Sequence, residues 1–524
     1  MKLSTNVIFD TSLGKHIPEE VSHVTETLEK GGFEAYLVGG CTRDLLLGRK
    51  PKDWDVTTDA TPEQIIALFP KTFYENVYGT VGVVNEKTED ETLKVIEVTP
   101  YRLEAGYSDH RRPDSVTFST KLEDDLKRRD FTINAIALGL KREQEVTKHQ
   151  ETITQGSKSL VAKVSQETLV DPYKGQKDLK DKVIRTVGAP QDRFEEDALR
   201  IIRAIRLSAE LSFTINAETA KAIEEKSPLL AKISKERIRD EFTRILMSDT
   251  PMTALAVAQK LGVLKYIVPE LEQGIGIEQN KAHAYTVWEH LLRSCQHAVD
   301  KKWPLDIRLT ALFHDISKPE TRRWSNESAQ WTFYGHDVVG ARVTAKILEN
   351  LRFPKKMSEK IVKLVRWHMF FSDTENITLS AVRRIITNVG TENIWDLMNV
   401  RVCDRVGTGR PKEQPYRLRK YHAMIDEALR DPISVGMLKI DGTTLIKDLG
   451  MNPGPKIGHT LHALLEEVLE EPKKNTLVYL KTRATELANL GDEELKKIGE
   501  AGKRKKAMEE EKELAEIQKK HWVK

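Results

Sequence analysis

The sequence predicts an α+β fold, in which a small mixed α/β head is followed by an all-helical neck, body and tail. Two patterns predict this fold class. Between residues 20 and 140, short β-like runs alternate with helical ones. From about residue 190, helical periodicity continues almost to the end of the chain. The length of 524 residues also implies more than one domain.

The predicted head opens with a strand, a tight turn and a short helix. FEAYLVGG (33–40) has the pattern of a strand that runs into a glycine turn, and CTRDLLLG (41–48) has that of a short helix. The next predicted elements are a strand at DWDVTT (53–58), a capped helix at TPEQIIALF (61–69), and strands at TVGVVN (80–85) and LKVIEVTPY (93–101). Because strands and helices alternate here, we predict a mixed α/β head.

Interruptions in these patterns predict the domain boundaries. Residues 141–168 are polar and weakly patterned, and we interpret them as an insertion in a hairpin or loop. Glycine and proline interrupt the helices near 185–190, 250 and 430. We therefore predict a head at 1–188, a neck at 189–250, a body at 251–430 and a tail at 431–524. The charged end of the tail is interpreted as a solvated helix or frayed tail, with an RNA-contacting tail as the alternative.

Composition limits the class of protein. Lysine and arginine number 83 against 80 aspartates and glutamates, so the overall charge neither requires nor excludes nucleic acid. The three cysteines lack the spacing of a zinc knuckle or a disulfide scaffold, which favours a reducing, cytoplasmic setting. We find no signal-peptide core at the start of the sequence and no run of about 18 apolar residues, so no membrane contact is expected. No protein partner is evident.

Gly39 and Gly40 follow the first predicted strand directly and open the short helix. Backbone N–H groups at such a turn can bind a triphosphate, and glycine allows a phosphate to approach closely. Arg43, one helical turn further on, can reach the same phosphates, although a salt bridge with Asp44 is the alternative.

Asp53 and Asp55 lie two residues apart on a predicted strand and therefore point to the same face. Two carboxylates so close repel each other unless a cation lies between them. Hard oxygen ligands suit Mg²⁺ carried in with a nucleotide. The pair therefore predicts metal-dependent nucleotidyl transfer, in which two metals activate the attacking 3′-hydroxyl and stabilise the leaving pyrophosphate.

The run GG-x-x-RD-x-LLG-R followed by D-x-D resembles the class II tRNA nucleotidyltransferases of the polymerase-β superfamily, together with the bacterial poly(A) polymerases. The resemblance covers roughly residues 30–250. Four further segments follow in the order expected of that family: GYSDHRRPDSVTF (106–118), which resembles the flexible loop of its CCA-adding members, LEDDLKRRDFTINAIA (122–137), LVDPYKGQKDLKDKVIRTVG (169–188) and RFEEDALRIIRAIR (193–206).

This resemblance implies roles for particular residues. It implies that Asp53 and Asp55 are catalytic and hold Mg²⁺. Glu97, in KVIEVTPY, is the candidate third catalytic carboxylate, with an ordinary exposed strand glutamate as the alternative. The residues expected to contact the nucleotide are Gly40, Arg43, Arg129, Asp197, Arg200, Arg203 and Arg206.

The segment EEDALRIIRAIR predicts a helix whose one side can read a base. Asp197 and Arg200 are three residues apart and hence neighbours on a helix. Cytosine and adenine each present an amine beside a ring-nitrogen acceptor, which a carboxylate and a guanidinium can match. Uracil and guanine present the opposite pattern and are rejected. The alternative is a salt bridge on an exposed helix. Arg203 and Arg206 are assigned to phosphate or RNA backbone.

Histidines and aspartates recur through the predicted body: His290 in TVWEHLL, His314 and Asp315 in ALFHDISK, His336 in FYGHDVVGA, His368 in VRWHM and Asp404 in RVCDR. Mixed imidazole and carboxylate ligands suit Mn²⁺, Fe²⁺, Ni²⁺ or Mg²⁺ better than structural zinc. The series resembles the HD phosphohydrolase superfamily, which implies one or two bound metals in an HD-type body. A structural relic without metal is the alternative. HDIS replaces the frequent HDIG, but the glycine is not a ligand.

The segment LKIDGTTLIKDLGMNPGPKIGHTLHALLEEVL resembles the tail of the same family and is expected to bind tRNA. The predicted function is CCA addition, in which CMP and AMP from CTP and ATP are transferred to tRNA 3′ ends, with a phosphohydrolase activity in the HD-type body. The alternatives are a poly(A) polymerase, a partial enzyme that adds only CC or only A, an HD phosphohydrolase with an RNA-binding head, and an inert tRNA-binding protein.

Overall fold

The structure is a computed structural model that describes residues 13–74, 79–105, 115–142, 164–280, 284–369 and 377–499. These residues divide into two compact units. The first contains the described residues up to Phe242 together with Ala256–Tyr266, and the second contains Thr243–Leu255 together with the described residues from Ile267 onward. Within these ranges, no helix has the length and apolar character that a membrane crossing requires.

A seven-stranded mixed sheet forms the centre of the first unit. The strands of this unit's head are β1 (Ala35–Val38), β2 (Asp55–Thr58), β3 (Thr72–Tyr74), β4 (Val81–Val84), β5 (Val95–Pro100), β6 (Arg102–Ala105), β7 (Ser115–Phe118), β8 (Ala137–Arg142) and β9 (Val164–Val170). Their order in the sheet is β3-β4-β5-β2-β1-β8-β9, and β6 pairs with β7 alone. Within the sheet, β2 and β5 are parallel and the other neighbours are antiparallel.

The central strands are apolar where they cross the core, which fixes the register of the sheet. Leu37 of β1, Val56 of β2 and Val98 of β5 are all fully buried. Leu37 lies opposite Val56, and Val56 lies beside Val98. A slip of one residue would turn these side chains to the opposite face, so the pairing that places Asp55 is strongly specified.

Helices up to residue 267 are α1 (Glu19–Lys30), α2 (Gly40–Leu46), α3 (Pro62–Leu68), α4 (Leu122–Lys127), α5 (Gly175–Asp181), α6 (Pro190–Glu196), α7 (Leu199–Leu211), α8 (Ala217–Lys226), α9 (Lys235–Met247), α10 (Pro251–Lys260) and α11 (Leu264–Ile267). Between them, the two-residue strands β10 (Val183–Ile184) and β11 (Thr214–Ile215) pair in parallel. The predicted cap of α3 is confirmed, because Thr61 and Gln64 form a reciprocal capping box.

Two sequence-predicted segments of the head are only partly described. The ends of the polar segment 141–168 belong to β8 and β9, which pair as an antiparallel hairpin. Residues 143–163 lie outside the described residues, and so do residues 106–114 of the GYSDHRRPDSVTF loop. The end of that loop, Ser115–Phe118, is strand β7.

The second unit is built mainly from helices. They are α12 (Val287–Asp300), α13 (Leu305–Phe313), α14 (Lys318–Thr321), α15 (His336–Asn350), α16 (Lys355–Trp367), α17 (Leu379–Val389), α18 (Ile394–Gly407), α19 (Tyr416–Ala428), α20 (Gly442–Lys447), α21 (Pro455–Glu470), α22 (Leu477–Ala488) and α23 (Asp492–Gly499). One buried apolar cluster extends from α12 and α13 through to α22 and α23. This continuous core joins the predicted body and tail within one compact unit.

The prediction that the body is all-helical needs one correction. Strands β12 (Arg323–Ser325) and β13 (Gln330–Thr332) form a short antiparallel hairpin between α14 and α15. Trp324 lies directly opposite Trp331 in this hairpin. An aromatic cross-strand pair stabilises such a ribbon, and the polar residues between the strands form its turn.

Candidate active sites

The Gly-Gly turn lies against two of the predicted functional side chains of the head. Gly39 ends β1 with φ of 79°, and Gly40 begins α2. A Cβ atom on Gly39 would lie 3.1 Å from Oδ2 of Asp55 and 3.3 Å from Nη1 of Arg129. Only glycine combines this backbone conformation with such a close approach. The turn, Asp55 and Arg129 therefore lie together, and their roles in catalysis and nucleotide binding stay predictions.

Carboxylates at the end of the sheet come from two neighbouring strands. Asp55 of β2 is the direct register partner of Glu97 in β5. Side chains paired in this way point to the same face, and both are partly exposed. The structure therefore brings the predicted third carboxylate beside Asp55.

The predicted strand that contains Asp53 begins later than expected. Asp53 is exposed in a bend, and β2 begins only at Asp55. The reason is that the chain turns at Gly39, where β1 ends, so no residue of β1 lies opposite Asp53. Asp53 is therefore placed near Asp55 by chain connectivity rather than by strand alternation.

Arg43 belongs to a hydrogen-bonded chain that runs from α2 to α7. Its Nη2 forms the salt bridge with Asp44 at 2.8 Å, while its Nη1 donates to Oδ1 of Asn134 at 2.8 Å. Asn134 donates in turn to Asp130 at 3.2 Å, and Asp130 pairs with Arg203 at 2.8 Å. The salt bridge given as the alternative for Arg43 is therefore present, and contact of Arg43 with phosphates stays a prediction.

Buried charge fixes the ionisation of this chain. Burial opposes the ionisation of Asp130, but Arg203 and Arg200 outweigh it and lower the pKa of its carboxyl. Asp130 in turn raises the pKa of Arg203. The pair therefore stays charged and holds α7 in place beneath the head.

Arg129 is oriented by a buried carboxylate. Its Nη2 lies 2.8 Å from Oδ2 of Asp125, and Arg128 contacts the other oxygen of the same carboxylate. Burial opposes ionisation of Asp125, but the two arginines outweigh it and lower its pKa to about 2. Asp125 therefore presents Arg129 to the Gly-Gly turn as a fixed cation.

The expectation of one helix through EEDALRIIRAIR is wrong. Helix α6 ends at Glu196, and α7 begins at Leu199. Asp197 lies between them in an extended conformation, where its Oδ1 accepts a hydrogen bond from the N–H of Leu199 at 3.0 Å. Its Oδ2 pairs with Arg237 at 2.8 Å. A side chain that caps its own backbone competes with helix continuation, which explains the break.

Arg200 points back toward α6 instead of pairing with Asp197. Its Nη1 contacts Glu196 at 2.5 Å and the carbonyl of Arg193 at 3.2 Å. Its Nη2 donates to the carbonyl of Arg128 at 3.0 Å. The apolar side of α7 is as predicted, because Ala198, Ile201, Ile202 and Ile205 are fully buried.

Arg206 is more deeply buried than we expect of a residue that contacts the RNA backbone. It is 5% exposed and pairs with Glu241 at 2.7 Å and Glu210 at 3.2 Å. Arg203 has a partly exposed side chain. Two acidic partners, of which Glu241 is buried, account for the position of Arg206 through the fold alone.

The HD-type residues of the second unit converge on a single buried cluster. Potential ligand atoms of His290, His314, Asp315 and Asp404 lie within 4.8 Å of one another, and so do those of Asp315, His336 and His368. Asp315 belongs to both groups. Its Oδ2 lies 2.9 Å from Nε2 of His290, and its Oδ1 lies 3.1 Å from Nε2 of His336. Such a carboxylate can bridge two cations.

Backbone carbonyls orient three of the histidines. Nδ1 of His314 donates to the backbone carbonyl of Ala311. In the same way, Nδ1 of His336 donates to the carbonyl of Phe333, and Nδ1 of His368 donates to the carbonyl of Val365. A carbonyl can only accept, so each Nδ1 carries a proton and each Nε2 faces the cluster, where it can bind a cation once it is itself deprotonated. This arrangement is typical of metal-binding histidines.

Charges within the cluster are strongly coupled. Burial opposes protonation of His314, but Asp315 and Asp404 outweigh it and raise its pKa to about 9. Burial lowers the pKa of His290 and of His368. Two imidazole nitrogens, Nε2 of His290 and Nε2 of His314, are only 2.9 Å apart. So many inward-pointing donor atoms in a buried space fit one or two divalent cations.

A pocket of about 640 Å³ in the second unit reaches this cluster. Asp315, His336 and Asp404 line it, and so does Lys318, whose Nζ lies 2.5 Å from Oδ2 of Asp315. Lys318 is buried although it is a lysine. The cluster is thus accessible to a ligand from the pocket side.

Sequence reasoning missed the residues that support the predicted ones. Asp125, Asp130 and Asn134 lie within the quoted segment LEDDLKRRDFTINAIA, of which only Arg129 was singled out. The signal for them in the sequence is their polar character among apolar residues, which indicates polar groups at a buried site. Arg237 lies 40 residues from Asp197 in sequence, and no local pattern joins the two.

Three family models match consecutive parts of the chain. The poly A polymerase head domain matches residues 35–185. The model described as a probable RNA and SrmB-binding site of polymerase A matches residues 212–275. The HD domain matches residues 283–407. The order of these matches agrees with the order of the two sites along the chain.

Curated relatives match nearly the whole chain. The CCA-adding enzyme of Lactobacillus helveticus is 33% identical over 460 residues, which is 86% of this chain and 93% of that enzyme. The CCA-adding enzyme of Geobacillus thermodenitrificans is 32% identical over 455 residues, again 86% and 93% of the two chains.

Solved structures agree with the fold. The Bacillus stearothermophilus CCA-adding enzyme in complex with CTP has a TM-score of 0.59 at 25% identity, covering 89% of this chain and 98% of that one. The Thermotoga maritima CCA-adding enzyme complexed with tRNA has a TM-score of 0.53 at 18% identity, covering 91% and 97%, and supports the fold alone.

Proposed function

The chain belongs to the family of CCA-adding enzymes, and from this premise we propose how its residues add CMP and AMP from CTP and ATP to the 3′ ends of tRNA. The observation that carries the proposal is the meeting of Asp55, Glu97 and Arg129 at the Gly-Gly turn. Transfer of a nucleotide needs carboxylates for cations and a fixed cation for the triphosphate, and this site has both.

In the proposed site, Asp53, Asp55 and Glu97 hold Mg²⁺. The chemistry that the metal supplies there is activation of the 3′-hydroxyl and stabilisation of the leaving pyrophosphate. The N–H groups at Gly39–Gly40 and the guanidinium groups of Arg43 and Arg129 bind the triphosphate. Asp125 and Asn134 hold the two arginines in position, so little reorganisation is needed when the nucleotide binds.

For base selection, we assign Asp197 and Arg200. Arg237 holds Asp197 from one side, and Glu196 with two backbone carbonyls holds Arg200. A reader fixed before the nucleotide arrives can reject uracil and guanine by leaving polar groups unpaired. This assignment does not require Asp197 and Arg200 to lie on one helix. It requires only that both side chains face the base.

The direct test of this function uses tRNA transcripts that lack the terminal CCA. We expect CTP alone to give addition of two C residues, and CTP with ATP to give the complete CCA end, as read by sequencing the products. Continued addition of A residues would instead identify a poly(A) polymerase, and arrest after CC would identify a partial enzyme.

A second activity is favoured by the buried cluster in the second unit. We assign one or two divalent cations, Mn²⁺, Ni²⁺, Fe²⁺ or Mg²⁺, to the six predicted ligands that converge on Asp315. A cation bound there would lower the pKa of a water molecule enough to supply hydroxide for phosphoester hydrolysis at neutral pH. The histidines orient their Nε2 atoms toward it, and Lys318 lies where it can contact an anionic substrate.

The attached tRNA enzyme indicates the substrate of this second site. A damaged tRNA end can carry a 2′,3′-cyclic phosphate or a 3′-phosphate, either of which blocks addition because no free 3′-hydroxyl remains. Removal of that group followed by CCA addition would place both steps on one chain. Since tRNA is the common substrate, we expect the protein to act in the cytoplasm and the tail to contribute to tRNA binding.

A further inference from the structure

The pocket that reaches the HD-type cluster has an aromatic lining on the side of the β12–β13 hairpin. Trp331, Phe333 and Tyr334 all contribute to it. Tyr334 is 67% exposed, although tyrosine usually buries most of its ring. It lies two residues before the predicted ligand His336, separated only by Gly335, which has a left-handed conformation with φ of 75°. Tyr334 and His336 therefore line the same pocket from neighbouring positions of the chain.

Contacts of its two tryptophans stiffen the β12–β13 hairpin. Trp324 and Trp331 pack with their ring centroids 5.2 Å apart and nearly perpendicular. The guanidinium carbon of Arg322 lies 3.7 Å from the centroid of the Trp331 ring. Stacked cations and edge-to-face rings stiffen an otherwise short hairpin. These contacts hold Trp331 in the pocket lining, and the exposed Tyr334 lies two residues after the end of β13.

A second part of the lining is strongly basic. It contains Arg401 and Arg405 of α18, Arg417 of α19, and Arg410 from the connection between those helices. Several arginines around one pocket create a positive potential that attracts anions.

Aromatic rings and arginines around one pocket match the two halves of a nucleotide. Any of the four bases can stack on an aromatic side chain, and arginines bind phosphate. We infer that this pocket binds the terminal nucleotides of a single RNA strand, with Tyr334 against a base and Arg405, Arg410 and Arg417 against phosphates, so that the last phosphate lies at the HD-type cluster. The inference rests on the proposed phosphohydrolase site and names the class of its substrate.

The charge count favours an RNA end over a free mononucleotide. Five cationic side chains line the pocket, namely Lys318, Arg401, Arg405, Arg410 and Arg417, against three aspartates. Asp315 pairs with Lys318, Asp404 pairs with Arg401, and Asp337 pairs with Arg366 outside the lining. Arg405, Arg410 and Arg417 are then left for phosphates, and two or three consecutive phosphates match them better than one terminal phosphate does.

The test uses the full-length protein and a hexaribonucleotide that carries 5′-fluorescein, a 3′-terminal 4-thiouridine and a 3′-phosphate. Photocrosslinking in EDTA followed by peptide mapping is expected to place the terminal base on the segment 330–335. Anisotropy titrations are expected to show roughly tenfold weaker binding for Tyr334→Ala, the usual scale for one lost stacking contact. Arg417→Ala is expected to weaken binding and to reduce its salt dependence.

Two matched controls belong to this test. Tyr416 is 71% exposed and lies outside the pocket lining, next to Arg417. Tyr416→Ala and Arg419→Ala, a change at an exposed arginine of the same helix, are expected to leave binding and crosslinking unchanged. Adenosine 3′-monophosphate as competitor separates the two sources of ligand. Competition at the same concentration as the hexamer would show that a free nucleotide is sufficient and would overturn the choice of an RNA end.

The outcomes separate this inference from the proposed hydrolysis. Crosslinking at 330–335 without any metal-dependent hydrolysis would support the inference and contradict the proposed activity. Hydrolysis with crosslinks elsewhere, or with Tyr334→Ala equal to Tyr416→Ala, would overturn the inference and leave the activity standing.

Discussion

Asp55 and Glu97 are direct neighbours on the parallel strands β2 and β5, at the point where β1 turns at Gly39. The register is fixed by the buried residues that follow Asp55 in β2, so the two carboxylates cannot move apart without displacing the core. Their proximity supports the proposal that Glu97 is the third carboxylate of the transfer site.

The first prediction concerns these carboxylates. Asp53→Ala and Asp55→Ala are expected to lower the rate of nucleotide addition by at least roughly a thousandfold, about 4 kcal/mol, because cation binding in the transition state is lost. Glu97→Gln keeps the shape of the side chain and is expected to lower the rate by roughly ten- to a hundredfold. Single-turnover addition of CMP to a tRNA that lacks CCA measures the effect.

The matched control for Glu97→Gln is Glu86→Gln. Glu86 is an exposed carboxylate outside the predicted site, and it pairs with Lys71. It is expected to leave the rate unchanged. Near-normal addition by Asp53→Ala or Asp55→Ala would show that the carboxylates do not hold the catalytic cations.

The second prediction concerns base choice and follows from the break before α7. Arg237 holds Asp197 by an ion pair at 2.8 Å, so Arg237→Ala is expected to release Asp197 and relax the rejection of UTP and GTP. Asp197→Ala and Arg200→Ala are expected to have larger effects of the same kind, since they remove the reading groups. Relative incorporation of all four nucleotides is the measurement.

Arg239→Ala is the control for Arg237→Ala, because Arg239 lies on the same helix and pairs with its exposed neighbour Asp240. A fall in rate with unchanged selectivity in both Asp197→Ala and Arg200→Ala would show that these residues support the fold and do not read the base.

The third prediction concerns the buried carboxylate of Asp125. Its pKa is about 2 in the folded chain, below the ordinary value of an aspartate, because Arg129 and Arg128 stabilise the carboxylate. A lowered folded-state pKa adds stability that is present above the unfolded pKa and is lost as the pH falls toward 2. Asp125→Asn is therefore expected to lower the free energy of unfolding of the first unit by about 2 kcal/mol at pH 7.

Urea titration with thiol labelling of the buried Cys41 reports on that unit, because the other two cysteines lie in the second. Glu123→Gln, at an exposed position of the same helix, is the control and is expected to have no effect. The difference between wild type and Asp125→Asn, followed by circular dichroism, should shrink between pH 4 and pH 2. A difference independent of pH would contradict the linkage.

Local patterns predicted those parts of the structure that local interactions determine. The strand, Gly-Gly turn and short helix at 35–46 and the capped helix at Thr61 depend on residues close in sequence. The break at Asp197 could not be predicted in this way. The residues on either side of Asp197 favour a helix. Arg237, which pairs with Asp197, lies 40 residues further along the chain.

The same limit applies to the HD-type cluster. The sequence contains the ligand types, but their convergence arises from the packing of α12, α15, α16 and α18 with the end of α13. Asp315 as a shared member of two groups, and Lys318 against its carboxylate, are consequences of that packing. The hairpin at 323–332 was missed because each strand has only three residues, too few for a periodic signal.

The last prediction concerns this cluster. His314→Ala and Asp315→Ala are expected to lose bound Mn²⁺ or Ni²⁺ and to lose hydrolysis of 2′,3′-cyclic nucleotides and phosphate monoesters, because both residues contribute ligand atoms. Both variants are expected to keep CCA addition to intact acceptor ends, since the transfer site lies in the other unit. His290→Ala should behave in the same way. His297→Ala, on the same helix as His290 but outside the cluster, should keep both metal and hydrolysis. Elemental analysis after dialysis measures the metal independently of activity. Wild-type protein that neither retains metal nor hydrolyses these substrates would show that the cluster only supports the fold.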